Sequence, residues 1–377
     1  MGRAKVVALV AGEASGDALG ALAMRALKRL GPVRFIGIGG QEMQKEGLES
    51  LMPMESIMVS GLLEVARHIP RLFALRRRLA KSLQEASPSL FVGIDLPDFN
   101  LGLEGAMKKA GIPVAHMVAP TVWAWRPSRM RPFCQAVDKM LVLFPFEESL
   151  WAEKGVRARF IGHPLASGRL RETQEEARKA LGMESGPVVA FLPGSRPREV
   201  ARLAPVYADT ARRLQGVMPG IRCVAGLACA NTKKIFAQDA ADIVGFVGQT
   251  PSVIAAADVV LACSGTATLE VALSKKPMVI CYRLSPMSFW LLRRLVRIAW
   301  AGLPNILLQR QVAPEYLQDR ANSRDLAEAL LALLQNPALA QNQIRAYAEL
   351  ESMLSCQSEE VIASALKEYV LENPPRG

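Results

Sequence analysis

The sequence predicts two successive α/β domains, each built on a doubly wound parallel sheet, with helices at the C-terminus. Short apolar runs alternate with helix-like stretches, the alternation lapses once, and it then begins again. The lapse covers residues 166–185, a polar stretch followed by a Gly-Pro pair, which is typical of a linker with one helix. At 377 residues the chain is also too long for one ordinary core. We therefore expect a first domain over 1–166, a second over 187–324 and a helical tail over 325–377.

The predicted strands are runs of apolar residues, as expected where helices cover both faces of a parallel sheet. In the first domain they cover residues 5–11, 34–38, 90–94, 114–118, 140–144 and 160–161, with helices over 20–30 and 72–83. In the second domain they cover residues 188–192, 221–225, 243–247, 259–261 and 278–282. The tail carries two apolar helical stripes, Leu326, Leu330, Leu333 and Leu334, then Ile344, Tyr347, Leu350 and Leu354. In such folds the ligand lies at the carboxyl ends of the strands, so we expect the two domains to face a ligand-binding cleft.

Charge and composition favour an anionic binding partner and argue against a membrane-spanning, secreted or zinc-binding protein. The 46 Lys+Arg residues against 35 Asp+Glu give a net charge of +11, which favours a polyanionic partner or an anionic surface. The longest uncharged window, residues 110–125, is 16 residues long and contains two prolines, whereas a membrane-spanning helix needs about 20 apolar residues. The N-terminal apolar run is too short for a secretory signal, and the six cysteines form no CxxC pair. We expect a cytoplasmic protein with reduced thiols and, with only three histidines, no zinc site.

A glycine-rich turn follows the first predicted strand. Residues 12–20 read GEASGDALG, and such a turn opens a helix whose N-terminus attracts anions through free N–H groups and the helix dipole. The spacing is not GxGxxG, so it does not indicate a nicotinamide cofactor. Ser15 or Asp17 could simply cap the helix. Two acids beside the turn, Glu13 and Asp17, nevertheless exceed what capping requires, and we treat Glu13, Ser15, Gly16 and Asp17 as candidate site residues.

A second motif, FVGIDLPDFN over residues 91–100, places a carboxylate directly after a buried strand. Asp95 would lie at the mouth of the sheet, where a low dielectric increases the basicity of a carboxylate, and it is the candidate general base. Asp98 follows Pro97 and could cap a helix that starts near Leu101, a structural or orienting role. The alternative is that both aspartates are ordinary turn residues.

A third stretch, residues 116–131, combines Trp123 and Trp125 with three arginines, among them Arg126. Such a loop can bind a phosphate and stack on a sugar or a lipid. Interleaved basic and aromatic residues also suit single-stranded nucleic acid. The cluster is short and lies in a strand-to-helix connection, which fits a small anionic ligand better. The alternative is that both tryptophans belong to the core.

The second domain opens with Gly194-Ser195-Arg196, directly after its first predicted strand. At the start of a helix these residues bring N–H groups, a hydroxyl and a guanidinium around one anion. The motif GxxxxGK[ST] is missing, which disfavours a P-loop NTPase. A plain helix start capped by Ser195 is the alternative.

A similar turn, Ser264-Gly265-Thr266, follows the strand predicted over 259–261. Glu270 lies one helical turn further on, where a carboxylate can accept hydrogen bonds from both hydroxyls of a ribose. Taken together with the Gly194 turn, this pattern is the nucleotide-sugar arrangement of two-domain glycosyltransferases.

Two segments, residues 57–83 and 286–300, mix apolar and basic side chains. Segments of this kind can rest on anionic lipid. For the helix over 72–83 the alternative is an ordinary buried stripe of leucines with a solvated basic face.

The motifs resemble, in this order, those of the lipid-A-disaccharide synthase family. The matching segments are AGEASGDALGA (11–21), FVGIDLPDFN (91–100), PTVWAWR (120–126), FIGHP (160–164), LPGSRPREV (192–200), SGTATLE (264–270), PMVICYR (277–283) and GLPN (302–305). The resemblance implies a GT-B fold and transfer of 2,3-diacylglucosamine from UDP to 2,3-diacylglucosamine 1-phosphate. The products would be a β-1,6-linked disaccharide phosphate and UDP, with inversion at the transferred carbon and without a metal or other cofactor. Inversion needs one base on the acceptor 6-hydroxyl and no covalent intermediate.

The resemblance also implies roles for individual residues. Asp95 matches the proposed base, and Arg196 matches an arginine that stabilises the leaving UDP. The donor-side positions are Gly194, Ser195, Ser264, Gly265, Thr266, Glu270 and Asn305. The acceptor-side positions are Glu13, Ser15, Gly16, Asp17, Asp98, Asn100, Trp125 and Arg126.

The expected partners are the two lipid-linked sugars and an anionic membrane surface, contacted through 57–83 and 286–300 at the cytoplasmic side of the inner membrane. Nucleic acid is not expected, and a homodimer is left open. One alternative is another GT-B enzyme with a soluble donor of the UDP-N-acetylglucosamine type. Another is a non-catalytic binder of anionic lipid or nucleic acid, which would have no use for a nucleotide site.

Overall fold

The protein is described here by a computed structural model. It describes residues 4–57, 62–120, 130–166, 172–183, 185–285 and 299–371, with the backbone alone over 62–70. The chain forms two compact units. The first combines Met1–Ser167 with Leu354–Gly377, and the second is Gly168–Met353.

The first unit is built on a seven-stranded parallel sheet. Its strands are β1 (Lys5–Val10), β2 (Val33–Ile38), β3 (Leu48–Ser50), β4 (Leu90–Ile94), β5 (Val114–Met117), β6 (Lys139–Val142) and β7 (Arg157–Phe160). Their order is β3-β2-β1-β4-β5-β6-β7, so the chain winds outward in both directions from the β1/β4 pair. The point where the winding reverses is where ligands bind in open α/β sheets.

Helices cover both faces of this sheet. They are α1 (Ala14–Lys28), α2 (Gln41–Lys45), α3 (Leu62–Glu85), α4 (Pro97–Lys109), α5 (Met130–Ala136), α6 (Phe146–Ala152) and, from the C-terminal segment, the helix Ser358–Leu371. Alternate residues of β1 face opposite sides. Val7 and Leu9 pack in a core with α1 and the C-terminal helix, whereas Ala8 and Val10 pack in a second core with α3, α4 and α5.

The second unit is built on a six-stranded parallel sheet. Its strands are β8 (Val188–Leu192), β9 (Arg222–Leu227), β10 (Val244–Val247), β11 (Val259–Cys263), β12 (Met278–Tyr282) and β13 (Glu315–Leu317), in the order β10-β9-β8-β11-β12-β13. Its helices are α7 (Gln174–Ala180), α8 (Pro197–Val217), α9 (Ala230–Phe236), α10 (Thr250–Ala256), α11 (Thr266–Leu273), α12 (Leu303–Leu308), α13 (Ser323–Gln335) and α14 (Pro337–Leu354). The C-terminal helix of the first unit, Ser358–Leu371, is α15. Val189 and Phe191 of β8 pack against Tyr207 of α8 and Leu330 of α13.

The predicted fold class, two doubly wound parallel-sheet units, is confirmed. The strands predicted over 90–94, 188–192 and 278–282 match residue for residue, because each is a buried apolar run. Strands β3 and β13 are not predicted from the sequence, since each is a three-residue edge strand without an apolar run. Strand β7 begins earlier than the predicted strand at 160–161, because it alternates exposed and half-buried residues at the sheet edge.

The segment predicted as one helical tail, 325–377, is divided in the structure. Helices α13 and α14 belong to the second unit, whereas α15 belongs to the first. Ile362 and Leu366 of α15 are fully buried in the core that contains Leu9 and Met24. The sequence shows that these helices are amphipathic but not which sheet each one covers.

Within the part of the chain that the structure describes, none of the helices combines the length and the apolarity that crossing a bilayer requires.

Candidate active site

In the first unit, two of the predicted motifs lie at the same edge of the sheet. Strands β1 and β4 are parallel neighbours, with Val10 aligned to Gly93, so the turns that follow them meet at their carboxyl ends. Gly12 in the first turn lies directly against Leu96 in the second, and any side chain at Gly12 would overlap the Leu96 side chain. Glycine at this position therefore allows the two turns to touch.

Asp95, the first residue after β4, has an uncommon backbone conformation. Asp95 and Leu96 both have positive φ, 50° and 45°, and neither is glycine. The N–H of Asp95 still donates to the carbonyl of Met117 at 2.8 Å, so the residue is tied to β5. Left-handed backbone costs a non-glycine residue about 1–2 kcal/mol. Strain of this kind clusters at functional sites, where the surrounding structure holds it in place.

A third left-handed residue lies beside this pair. Val118, directly after β5, has φ 74°, a conformation that is a true outlier for a β-branched side chain. Its N–H donates to the carbonyl of Leu141 at 2.9 Å. The neighbouring strands β4 and β5 therefore both end in strained residues at the same edge of the sheet.

Asn100 holds this edge together from inside the protein. The residue is fully buried on α4. Its Nδ2 donates to the carbonyl oxygens of Asp95 at 2.9 Å, Ile94 at 3.2 Å and Val10 at 3.3 Å. Asn100 was expected on the acceptor side. In the structure its amide is turned towards the main chain, because α4 begins at Pro97 and directs this residue at the sheet.

Asp17 is also turned inward. Its carboxylate accepts hydrogen bonds from the N–H groups of Gly40 at 2.8 Å, Glu42 at 2.9 Å and Met43 at 3.0 Å. The residue is 5% exposed. Three backbone donors at the start of α2 therefore occupy the Asp17 carboxylate, and a contact of Asp17 with the acceptor stays a prediction.

The other acceptor-side residues of the first motif differ in exposure. Glu13 is exposed at the N-cap position of α1, where its side chain makes no capping hydrogen bond, and Ser15 is exposed in the first turn. Gly16 is buried against Ile94 of β4. Beside them lies an open cavity of about 680 Å³, lined by Ala14, Asp17 and residues 39–42, 44 and 50–55.

Asp98 is exposed in the first turn of α4. The predicted helix start near Leu101 is wrong, since α4 begins at Pro97 and Asp98 is its second residue. Trp125 and Arg126, also expected on the acceptor side, lie outside the described residues.

In the second unit, the two phosphate-type turns follow neighbouring parallel strands. Strands β8 and β11 are paired with Leu192 aligned to Ala262, so the Gly194 turn and the Ser264 turn lie side by side. Gly194 has φ 97°, which favours glycine. Arg196 is the N-cap residue of α8, and Gly265 is the N-cap residue of α11, so both helices begin at this edge.

Arg196 extends into solvent but has one acidic partner. Its side chain is 77% exposed, and Nη1 lies 3.0 Å from Oε1 of Glu199. The same carboxylate oxygen accepts a hydrogen bond from the Tyr282 hydroxyl at 3.3 Å. Ser195, next to Arg196, is exposed.

The Ser264 turn presents exposed and half-buried groups. Gly265 and Thr266 are exposed, and the Ser264 hydroxyl donates to the carbonyl of Ala301 at 2.7 Å. Glu270 is half-buried, and burial raises the pKa of its carboxyl. Within the described residues the Glu270 side chain has neither a hydrogen bond nor an ion pair, so its carboxylate is available to a ligand.

Asn305, expected on the donor side, is turned towards the interior of its own unit. It is fully buried at the start of α12, and Nδ2 donates to the Ala313 carbonyl and to Oε1 of Glu315, each at 2.8 Å. Its Oδ1 accepts from the N–H groups of Val312 at 2.7 Å and Ala313 at 2.9 Å. Both ends of the amide are occupied within the unit, and a contact of Asn305 with the nucleotide stays a prediction.

Glu315 was not predicted as a site residue. Its carboxylate accepts from the N–H of Ala301 at 2.8 Å and of Gly302 at 2.9 Å. These residues precede α12 and contact the Ser264 turn through the Ala301 carbonyl. Glu315 thus anchors the segment against which Ser264 is held. A half-buried glutamate in a short edge strand carries no motif by which sequence alone could have found it.

None of the residues that the structure describes form a group of three or more His, Cys, Asp or Glu side chains able to hold a metal ion.

Comparison with known proteins decides the family. The model of the family described as lipid-A-disaccharide synthetase matches residues 7–366. The chain belongs to this family. A lipid-A-disaccharide synthase of Pseudomonas putida KT2440 is 45% identical over 374 residues, which cover 96% of this chain and 98% of that protein. The enzyme of the same name from Alkalilimnicola ehrlichii is 46% identical over 359 residues, 92% and 94% of the two chains.

Solved structures of low identity show the GT-B fold that the family resemblance implied. A UDP-GlcNAc 2-epimerase from Neisseria meningitidis, bound to UDP-GlcNAc, has a TM-score of 0.65 at 10% identity and covers 98% of this chain and 100% of its own. A transferase from Siraitia grosvenorii in complex with UDP has a TM-score of 0.62 at 12% identity, with coverage of 98% and 100%. This lipid-A-disaccharide synthetase family member therefore has the two-unit GT-B architecture.

Proposed function

We propose that this chain is a lipid-A-disaccharide synthase that transfers 2,3-diacylglucosamine from UDP to 2,3-diacylglucosamine 1-phosphate. The products are the β-1,6-linked disaccharide 1-phosphate and UDP. The observation that carries the proposal is the family match over residues 7–366, together with identities near 45% over almost the whole chain. Every sequence motif used above lies within those matched residues.

In the proposed reaction Asp95 is the general base. Its carboxylate takes the proton of the acceptor 6-hydroxyl while the hydroxyl oxygen attacks the anomeric carbon of the donor. The bond from that carbon to the diphosphate oxygen breaks, and the configuration inverts in a single displacement. The left-handed turn at Asp95 and its position at the carboxyl edge of the sheet support this role.

The leaving UDP carries the developing negative charge, and the second unit supplies the groups to stabilise it. Arg196 offers an exposed guanidinium, and the N-terminus of α11 offers N–H groups beside Gly265 and Thr266. Glu270 is proposed to bind the ribose hydroxyls. Gly194, Ser195 and Ser264 shape the two turns that hold the diphosphate.

The acyl chains of both substrates require access to a membrane, and we propose peripheral binding at the cytoplasmic face of the inner membrane. In the described side chains of α3, Leu79 and Leu83 are buried whereas Phe73 is 51% exposed. The Arg76 guanidinium lies 4.5 Å from the centre of the Phe73 ring. An exposed aromatic residue among arginines suits an anionic lipid surface. Most of the second expected membrane segment, 286–300, lies outside the described residues.

Donor choice tests the proposed function. The purified protein is incubated with the acceptor and with either UDP-diacylglucosamine or unacylated UDP-N-acetylglucosamine, and UDP release is followed. We expect UDP release from the acylated donor only when the acceptor is present, and a kcat/KM at least about 100-fold lower for the unacylated donor, since the acyl chains contribute remote binding energy. Comparable turnover of the two donors would support a GT-B enzyme with a soluble substrate instead.

A further inference from the structure

Two ionisable side chains lie fully buried behind the candidate base. Nδ1 of His116, on β5, lies 2.5 Å from Oε1 of Glu104, on α4, and both side chains are 0% exposed. The second oxygen of Glu104, Oε2, has no hydrogen-bond partner among the described residues. The pair is therefore not part of an extended structural network.

Stability alone does not account for such a pair. Replacing a buried ion pair by apolar residues of similar volume is often neutral or stabilising, because desolvating two charges is costly. Burial is the largest single influence and lowers the pKa of His116, but the charge and hydrogen bond of Glu104, the charge of Asp95 and the backbone of Val118 together raise the pKa overall. The neighbouring carboxylate thus favours the charged form of the imidazole, the form in which the pair has zero net charge.

The position of the pair connects it to Asp95. His116 is the register partner of Gly93 across β4 and β5. The Glu104 carboxylate packs on Gly93, where a side chain would overlap Oε1, so the glycine of the GIDLPDFN motif makes room for the pair. Gly93 is two residues before Asp95, and Asn100, which binds the Asp95 carbonyl, is one helical turn before Glu104 on α4.

We propose that Glu104 and His116 are positioning residues for the reaction, a buried pair of zero net charge that fixes α4 against the Asp95 turn and sets the charge that the Asp95 carboxylate experiences. The inference rests on the proposed function of Asp95 as the base. Neither residue contacts substrate in this account; both act through Asp95.

Three groups near His116 influence its pKa. They are the Glu104 carboxylate on α4, the Asp95 carboxylate at the end of β4, and the backbone of Val118, which directly follows β5. The ring of Phe133, on α5, meets the imidazole edge-on with 5.3 Å between ring centres. Glu104 and Asp95 are thus the charged side chains that tune His116 in the described structure.

The charge of the pair can be tested by pH profiles. In His116→Asn the amide keeps a hydrogen bond to Glu104 but leaves its negative charge uncompensated. That charge favours the protonated form of a nearby carboxylic acid, so we expect the acid limb of kcat/KM to move up by about one pH unit. In the double variant His116→Asn with Glu104→Gln the net charge of the pair is again zero. The acid limb of its kcat/KM profile should then lie within about 0.3 pH units of the wild-type position. An acid limb at the wild-type position in His116→Asn would overturn the proposal, as would an upward shift that persists in the double variant.

A second measurement is independent of activity and does not require the His116 variant to fold. Histidine-labelled full-length protein is titrated by NMR, and Asp95→Asn is compared with wild type. Because the coupling between two sites is reciprocal, loss of the Asp95 charge should lower the titration midpoint of His116 by about half a pH unit. His163 is buried and has no carboxylate partner among the described residues. It is the matched control, and its titration midpoint should not move. An unmoved His116 would contradict the coupling.

The two proposals fail in different ways. If Asp95→Ala retains wild-type activity, the base assignment is wrong whatever the pair does. If Asp95→Ala is inactive while the pair variants leave the acid limb and the His116 midpoint unchanged, only the positioning role is wrong.

Discussion

The side-chain amide of Asn100 donates to the carbonyl oxygen of Asp95 at 2.9 Å. The bond joins the buried face of α4 to the residue at which β4 leaves the sheet in a left-handed conformation. The same nitrogen also lies within 3.3 Å of the Val10 carbonyl at the end of β1. One buried amide thus ties together the two turns that carry the first-unit motifs.

Replacing Asn100 should therefore affect the reaction more than the fold. In Asn100→Ala three carbonyl oxygens lose their donor, and we expect the free energy of unfolding to fall by about 1–3 kcal/mol. The turn at Asp95 loosens, and kcat should fall at least about 10-fold, since small misplacement of a catalytic group is costly. Urea unfolding and UDP release measure the two effects.

Gln84→Ala is the matched control. The Gln84 amide donates to the Ala106 carbonyl on the same helix α4, but at the exposed surface. This variant should keep kcat within about twofold of wild type. Equal losses in both variants would indicate that any weakening of α4, and not the Asn100 contact, is responsible.

Arg196 and Arg198 are two exposed arginines at the start of α8, and they should behave differently. Arg196 lies at the N-cap position beside the Gly194 turn, where the proposed diphosphate binds. Loss of one group that stabilises transition-state charge commonly costs 100-fold or more, so Arg196→Ala should lower kcat by about 100-fold. Arg196→Lys, with a charge but no planar fork, should restore part of it.

Arg198→Ala serves as the charge-matched control and should lower kcat no more than about twofold. Steady-state UDP release at saturating donor and acceptor measures all three variants. A similar loss in Arg196→Ala and Arg198→Ala would mean that general positive charge at this edge, and not the guanidinium of Arg196, supports the leaving group.

Glu315 should support donor binding from a distance. Glu315→Gln replaces a carboxylate that accepts from two N–H groups and from Asn305. Since charge-assisted hydrogen bonds are about twice as strong as neutral ones, we expect a weaker anchor for residues 301–302 and a Kd for UDP raised about 10-fold, or 1.4 kcal/mol. Calorimetric titration of the full chain with UDP measures it. Glu328→Gln, which removes an exposed ion pair with Arg324, should leave the Kd unchanged, and an equal effect of both variants would refute the anchoring role.

His163 should make the protein less stable in mild acid. Burial lowers the pKa of its imidazole from the ordinary 6.5 to about 4, and its Nδ1 accepts from the N–H of Leu165 at 3.2 Å. The unfolded chain therefore binds this proton at a higher pH than the folded chain does. The free energy of unfolding should fall as the pH drops from 6.5 towards 4, by about 2 kcal/mol from this residue between pH 7 and pH 5.

His163→Asn isolates that contribution. The asparagine oxygen can accept the same N–H but does not titrate in this range. Urea unfolding at pH 7 and pH 5 should show a loss of stability that is about 2 kcal/mol smaller in the variant than in the wild type. The same loss in both proteins would show that other groups cause the acid sensitivity.

The sequence could reveal the fold class and the edges at which the site lies, because buried parallel strands are apolar runs and the turns after them carry distinctive residues. Asp95, Arg196 and Glu270 are predicted in this way, and each lies at or near the carboxyl end of a strand. The direction of a polar side chain could not be found: Asp17, Asn100 and Asn305 sit in the same motifs but are turned towards backbone groups. Whether a polar side chain faces the site or the backbone depends on where its helix begins and on which backbone carbonyl or N–H groups still need a partner. Both depend on the tertiary structure.

Contacts between distant elements were also beyond sequence reasoning. Glu104 and His116 meet only because α4 packs across β4 and β5. Gly93, within the motif over residues 91–100, leaves space for the Glu104 carboxylate, but the sequence does not show why a glycine is there. Glu315 reaches Asn305 from a three-residue edge strand. Helix α15 looks like the continuation of the preceding helices but covers the sheet of the first unit.

The role of Asp95 as the base of a lipid-linked glycosyl transfer can be tested with two substitutions. Asp95→Asn removes the candidate base, whereas Glu360→Gln removes an exposed carboxylate on α15 of the same unit. UDP release from UDP-diacylglucosamine is measured in the presence of the acceptor. We expect Asp95→Asn to lower kcat by about 1,000-fold, within the range that general-base catalysis contributes, and Glu360→Gln to keep kcat within about twofold of wild type. Acceptor-dependent UDP release by Asp95→Asn at the wild-type rate would show that Asp95 is not the base.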